Sequence, residues 1–293
     1  MQRFEQDDQA MGLRRISGGR PVKVVAVTSG KGGVGKTNVS VNLAVAMAQR
    51  GQSTLLLDAD LGLANVDVLL GLHPVANLAA VMRGELALED IVLEGPAGVK
   101  IIPAASGLTE MVDLGARAHN GLISAFAGLP FAIDNLVVDT AAGIDSGVLD
   151  FCQAAHEVVV VVCDEPASIT DAYAVIKVLS RQRDIRRFQV LCNKVESTDR
   201  GWELYRKLLA VCDRFLDVTL SHCANIPYDA VLRKAVRMQR AVVDSFPSSP
   251  SGIAFKELAR RADTWKVPME SSGRPAFFHE RSAGPIVQAV GAE

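Results

Sequence analysis

Cysteine is sparse in this chain and poorly placed for a framework role. The 293 residues hold five (Cys152, Cys163, Cys192, Cys212, Cys223), none in C-x-x-C spacing, so they read as reduced core residues, not disulfides or metal ligands. The five histidines are equally dispersed, which argues against a zinc centre. No apolar run approaches the ~18 residues that a membrane-spanning helix needs. The start, Met1-Gln2-Arg3-Phe4-Glu5-Gln6-Asp7-Asp8, lacks the apolar stretch of a secretion signal, and a cytoplasmic location is expected. Excess charge is missing too: the net value of −2 gives no global pull towards nucleic acid or anionic membrane. There is no internal repeat and no low-complexity block.

What is present is the composition of a folded enzyme. Apolar residues make up 49% and charged ones 22%, which excludes disorder over most of the length. β-rich runs alternate with helix-compatible stretches from residue 22 to about 266. The runs are Val22–Thr28, Thr54–Asp58, Val99–Pro103, Asn135–Asp139, Glu157–Cys163, Phe188–Asn193 and Asp217–His222. Several are continuously apolar, as strands covered on both faces should be. The alternation predicts a three-layer α/β fold with a twisted, mostly parallel sheet. Residues 1–20 are polar and lead through Ser17-Gly18-Gly19-Arg20-Pro21 into the first strand. Residues 267–293 carry too many prolines and glycines for a long helix and read as a flexible tail.

The chemistry starts at Ser29-Gly30-Lys31-Gly32-Gly33-Val34-Gly35-Lys36-Thr37-Asn38. It fits the phosphate-loop pattern G-x-x-x-x-G-K-[ST], between a predicted strand and a predicted helix. The glycines allow backbone N–H groups to turn onto phosphate oxygens, and the helix start adds positive potential. Lys36 is expected to reach the β- and γ-phosphates, and the Thr37 hydroxyl to ligate Mg²⁺. An apolar strand ending in Asp139 is a Walker B arrangement, and Gly143 beyond it lets backbone approach a γ-phosphate. Asp58 and Asp60 follow a second strand and should lie near the phosphates, where ligands of open α/β sheets collect. Asp67 reads as a helix cap.

The doubled form K-G-G-x-G-K-T resembles the deviant Walker A of the MinD/ParA class of P-loop ATPases. That resemblance implies an ATP-dependent homodimer in which Lys31, placed in the phosphate cradle, crosses to the partner's phosphates. It also implies that Asp60 orients the attacking water, Asp58 supports the Mg²⁺ shell and Asn65 holds the switch in its ATP form. Asn193 would read the adenine edge, and Pro227, Tyr228 and Asp229 would close over the base. N-K-x-D is absent, since Val195 and Glu196 follow Lys194, which favours ATP over GTP.

The N-terminus narrows the class. Asp8-Gln9-Ala10-Met11-Gly12-Leu13-Arg14 is similar to the D-Q-A-x-x-L-R element of the FlhG/FleN flagellar-number regulators. Similarity to that family runs over about residues 8–266, including Thr37–Leu43, Leu61–Gly71, Ile102–Gly107, Asp164–Tyr173, Ile226–Asp229 and Arg233–Arg240. By this resemblance Asp8, Gln9, Ala10, Leu13 and Arg14 stimulate an FlhF-type GTPase, and the ATPase acts on a FleQ-type transcriptional activator. The output would be control of flagellar number and placement. Members commonly end in an amphipathic membrane-targeting helix. Here Phe277 and Phe278 lie between Pro275 and Pro285, which leaves room only for weak membrane binding that relies on dimerisation. Arg233, Lys234, Arg237 and Arg240 recur at helical spacing and Arg181, Arg183, Arg186 and Arg187 form a second cluster. Solvated charges explain both, and direct DNA binding is not expected. The rival readings are a MinD-type division-site regulator, which lacks such an N-terminal extension, and a non-catalytic nucleotide-binding adaptor.

Overall fold

The computed structural model describes residues 21–60, 62, 65–104, 116–267 and 276–278. Eight strands form one sheet: β1 (Lys23–Ser29), β2 (Thr54–Ala59), β3 (Leu93–Glu94), β4 (Lys100–Ile102), β5 (Asn135–Ala142), β6 (Glu157–Cys163), β7 (Arg187–Val195) and β8 (Thr219–Pro227). Their order is β3-β4-β2-β5-β1-β6-β7-β8. Every neighbouring pair is parallel except β3 with β4. All seven predicted strands form. The eighth, β3, is a two-residue antiparallel edge that no apolar run announces.

The helices are α1 (Lys36–Ala48), α2 (Val66–Leu70), α3 (Leu78–Met82), α4 (Ala116–Ala125), α5 (Ser146–Gln153), α6 (Pro166–Arg183), α7 (Thr198–Phe215), α8 (Ala230–Arg237), α9 (Val242–Ser245) and α10 (Pro250–Ala262). Strand alternation divides the interior into two cores. Val24, Ala26, Val158, Val160 and Val162 face one, with side chains of α3 to α7. Val25, Val27, Val159, Val161 and Cys163 face the other, with α1, α2, α8, α9 and α10. The central strands are covered on both faces, so their sequences are apolar without a break. Helix α1 is buried nearly all round, which explains its weak amphipathic pattern. All five cysteines are buried and unpaired, and burial pushes the Cys152 thiol up to about 12.

The C-terminal boundary differs from expectation. Phe277 is fully buried, edge-on to Phe126 at 5.0 Å and stacked at 6.2 Å on Phe151. Phe278 meets Phe126 as well. These aromatics belong to the core beside α5, so the domain does not end at residue 266. Among the described residues no helix is long and apolar enough to cross a membrane. Asp8, Gln9, Ala10, Leu13 and Arg14 lie outside the described residues.

Candidate functional site

Strand β1 occupies the centre of the sheet, with β5 on one side and β6 on the other. The loop that leaves its carboxyl end therefore opens where the chain changes direction across the sheet, the usual ligand crevice of such folds. A cavity of about 790 Å³ lies there, lined by Gly32, Gly33, Gly35, Lys36, Thr37, Asn38, Asp60, Asn65, Ala141, Ala142 and Lys194, with Val68, Leu69, Val236 and Gln239 closing one wall. That volume suits a nucleotide.

The entry to α1 is built for an anion. Gly35 precedes the helix with φ +97°, a left-handed conformation that favours glycine. No side chain caps α1, and its first turn holds no acid, so its leading N–H groups stay open to a ligand. Gly30 leaves no room for a side chain: a Cβ there would stand 2.1 Å from the Asp171 carbonyl oxygen, so the loop is seated directly on α6. Val34 is buried beneath the loop. Asn38 lines the cavity, and its Oδ1 has no protein partner.

Charge under the loop is concentrated and largely buried. Lys36 is 9% exposed; burial lowers its pKa, and Asp139 and Asp60 oppose the shift. Asp139 is buried and accepts from the Ser40 hydroxyl at 2.8 Å and from Thr37. Burial raises its carboxyl to about 6 against those hydroxyls and Lys36. Asp58, 0% exposed, is pushed up to about 8, first by burial and then by Asp139. Its oxygens accept from the backbone N–H groups of Asp60 at 3.2 Å, Asn65 at 2.9 Å and Val66 at 3.1 Å. Asp58 thus ties the start of α2 to the end of β2. Asp67 is not the cap expected of it: it lies in the first turn and accepts from its neighbour Val68.

Other expected residues hold contacts within the protein. Lys31 is turned out of the cradle, its Nζ donating to Glu165 Oε2 at 2.7 Å with both side chains exposed. Asn193 is buried, and its amide donates to the Val34 carbonyl at 2.7 Å. Asp229 spends its carboxylate on architecture, accepting from Val231 N at 2.8 Å and from Ser251 N and Oγ. Pro227 ends β8, and Tyr228 is exposed with the Arg233 guanidinium over its ring. Gly143, at φ +107°, donates its N–H to the Ser29 carbonyl beside the loop. Arg240 falls beyond the end of α8, so the basic stripe has three helical members.

Sequence reasoning missed Ser40, Glu165, Lys194 and Gln239. Ser40 had a signal: three residues after Thr37, it shares a helix face with it. Gln239 donates to the Val68 carbonyl at 3.0 Å and ties the exit of α8 to α2. Its left-handed backbone (φ +54°) carries no pattern visible in sequence.

Mg²⁺ chemistry fits what is present. Thr37, Asp58 and Asp139 offer oxygen donors only, the kind a hard cation takes. Among the described residues no group of three or more His, Cys, Asp or Glu could cage a metal alone. A cation completed by substrate phosphates is the arrangement such a donor set supports.

Comparison with known proteins agrees. The CobQ/CobB/MinD/ParA nucleotide binding domain matches residues 25–242. The chain is 54% identical over 269 residues to the Antiactivator FleN of Pseudomonas aeruginosa, covering 92% of this chain and 96% of that protein. It is 34% identical over 263 residues to the Flagellum site-determining protein YlxH of Helicobacter pylori, covering 87% and 88%. Among solved structures it is similar to the septum site-determining protein MinD of Pyrococcus horikoshii, complexed with Mg-ADP. That likeness has TM-score 0.69 and 26% identity, over 83% of this chain and 97% of the other. The MinC:MinD cell division complex of Aquifex aeolicus gives TM-score 0.67 and 28% identity, over 85% and 99%. A phosphate loop with the doubled lysine, on a sheet of this order and with these relatives, places the chain in the CobQ/CobB/MinD/ParA nucleotide-binding family, among its FlhG/FleN flagellar regulators.

Proposed function

We propose that this chain is an ATP-hydrolysing dimerisation switch that controls flagellar number and placement. The observation that carries the reading is the contrast at the loop: an open helix start and a buried Lys36 beside Asp139, with Lys31 held outside on Glu165. The first set can hold one nucleotide's phosphates. The second can serve only a nucleotide it must move to reach.

In this reading the loop amides and Lys36 bind the β- and γ-phosphates, and Asn38 and Asn65 contact the nucleotide from the cavity wall. Thr37, Asp139 and Asp58 would hold Mg²⁺, whose charge neutralises the phosphates when bound. Ser40 keeps the Asp139 carboxylate aimed. Asp60 orients water for in-line attack on the γ-phosphate, and hydrolysis by the isolated protein is slow. Lys31 leaves Glu165 and crosses to the partner's phosphates as the dimer forms. Loss of the γ-phosphate releases Gly143, and the dimer separates. The dimer acts on an FlhF-type GTPase through Asp8, Gln9, Ala10, Leu13 and Arg14, and on a FleQ-type activator. It works in the cytoplasm, with at most transient polar or membrane association.

Asp60→Ala tests the switch. It should bind ATP as the parent does, release labelled phosphate far more slowly, and accumulate dimer on a sizing column. An Asp60→Ala protein that stays monomeric with ATP, or a parent chain that releases no phosphate, would leave a non-catalytic adaptor as the better reading. A peptide of residues 1–20 should stimulate GTP hydrolysis by the cognate FlhF-type protein, and its Gln9→Ala, Leu13→Ala form should not. Stimulation by neither would favour the division-site regulator.

A further inference from the structure

The exposed face of α10 borders a groove that no step of the switch uses. The 13 residues of α1, at about 1.5 Å each, put roughly 20 Å between the phosphate loop and the exit of that helix. Just past that exit, Arg50 lines a groove of about 360 Å³, with Pro247 and Ser248 from the turn before α10. Ile253, Lys256, Glu257 and Arg260 complete the lining. Their spacing places them on one face of α10. Phe255, Leu258, Ala259 and Ala262, on the other side of the helix, are buried, so the stripe stands on a fixed support.

Positive charge collects there. Arg50 pairs with Asp263, which also accepts from Gln52 Nε2 at 2.8 Å. Arg260 holds Glu257 in a two-pronged contact at 2.8 and 2.9 Å, and Arg261 reaches the same carboxylate at 3.4 Å. Lys256 is exposed and forms no ion pair among the described residues. Four cations (Arg50, Lys256, Arg260, Arg261) thus meet two acids (Glu257, Asp263), a surplus of two positive charges on a chain whose net charge is −2. Lys234 of α8 lies 5.3 Å over the ring of Phe246, the residue before Pro247, and adds a further cation. Among these charges Ile253 is 57% exposed.

We propose that this groove docks a short acidic segment of a partner protein, with carboxylates on Arg50, Lys256 and Arg260 and one aliphatic side chain on Ile253. Opposite charge would set its register and speed its arrival, and covering Ile253 would add apolar burial. Glu257 decides the class of partner. A nucleic-acid backbone is negative at every step and would set a phosphate against that carboxylate, whereas a peptide can place an uncharged residue there. Ile253 and Pro247 offer too little apolar area for anchoring in a bilayer.

The test is binding to the full chain of a fluorescent peptide of alternating glutamate and leucine, read by anisotropy. It is run beside the glutamine-for-glutamate twin, a fluorescent single-stranded oligonucleotide and vesicles of phosphatidylglycerol. The acidic peptide should bind more tightly than its twin, and less tightly as salt rises. Lys256→Glu should weaken it about tenfold, because an exposed attraction worth up to about fivefold becomes a repulsion. Ile253→Ser should weaken it roughly fivefold, the worth of partly burying an aliphatic side chain. Glu257→Gln should tighten it, since a like charge is removed and Arg260 is freed. All three changes lie at the surface and should leave the thermal midpoint of the protein where it was. An acidic peptide bound no better than its twin, or indifferent to Lys256→Glu, would overturn the proposal. A stronger hold on the oligonucleotide that Lys256→Glu abolishes would assign the groove to nucleic acid instead. Vesicle binding lost in Lys256→Glu, with no hold on the peptide, would assign it to a lipid surface.

Discussion

The two halves of the phosphate loop each carry a lysine, and the two live in opposite surroundings. Lys36 lies in the buried half, at the start of α1, and burial lowers its pKa against the pull of Asp139 and Asp60. Lys31 lies in the outer half, exposed, where its hydrogen bond to Glu165 raises its pKa. A buried ammonium among carboxylates is fixed by the cost of leaving it unpaired. An exposed ion pair is worth little and exchanges readily for another anion. The loop therefore combines a permanent site with a releasable group five positions away in sequence.

Exchanging the two roles should give sharply different failures. Lys36→Ala should abolish ATP binding in a filter assay while the fold survives; near-normal retention of nucleotide would end the case for a permanent site. Lys31→Ala should retain ATP within a few-fold but lose about 10³-fold in phosphate release, the scale of a group supplied in trans. Equal losses in binding and turnover would erase the distinction.

The buried half should also show in the pH dependence of stability. Asp58 and Asp139 titrate near 8 and 6 in the folded chain against an ordinary 3.8. Because both values are raised, the stabilisation is full below about pH 3.8 and is lost progressively as pH climbs through 6 to 8. Urea midpoints of the nucleotide-free protein should fall across that range, and Asp58→Asn should flatten the slope; a flat parent would mean that the pair is not desolvated as described. The smallest effect is expected from Glu165→Gln, which frees Lys31. Because that pair is exposed, ATP-induced dimerisation should strengthen by less than about fivefold, as sedimentation would show.

The same division governs what could be read from sequence. Glycine spacing, the apolar strands and the acids at their ends are local patterns, so the sheet, the loop and the grouping of Lys36, Thr37, Asp60 and Asp139 were all legible. Partners are not local. Nothing in Asp229 says that α8 and α10 claim its carboxylate, and nothing in Asn193 says that it faces the loop. Lys194 depends on a left-handed residue at a bulge, for which lysine is no signal. β3 is too short for any periodicity. Phe277 stands among proline and glycine, and only the hollow between Phe126 and Phe151 explains its place.

That hollow bears on how deletion phenotypes are to be interpreted. A chain cut at residue 266 would lose the far tail together with an aromatic ring from the interior, and filled space would become a void lined by phenyl groups. A Phe→Ala change at such a position costs about 3–5 kcal/mol, enough to reduce the amount of protein in a cell. Aberrant flagellation in such a strain would report scarcity of the protein as readily as loss of a targeting signal, whereas a cut placed after Phe278 would separate the two.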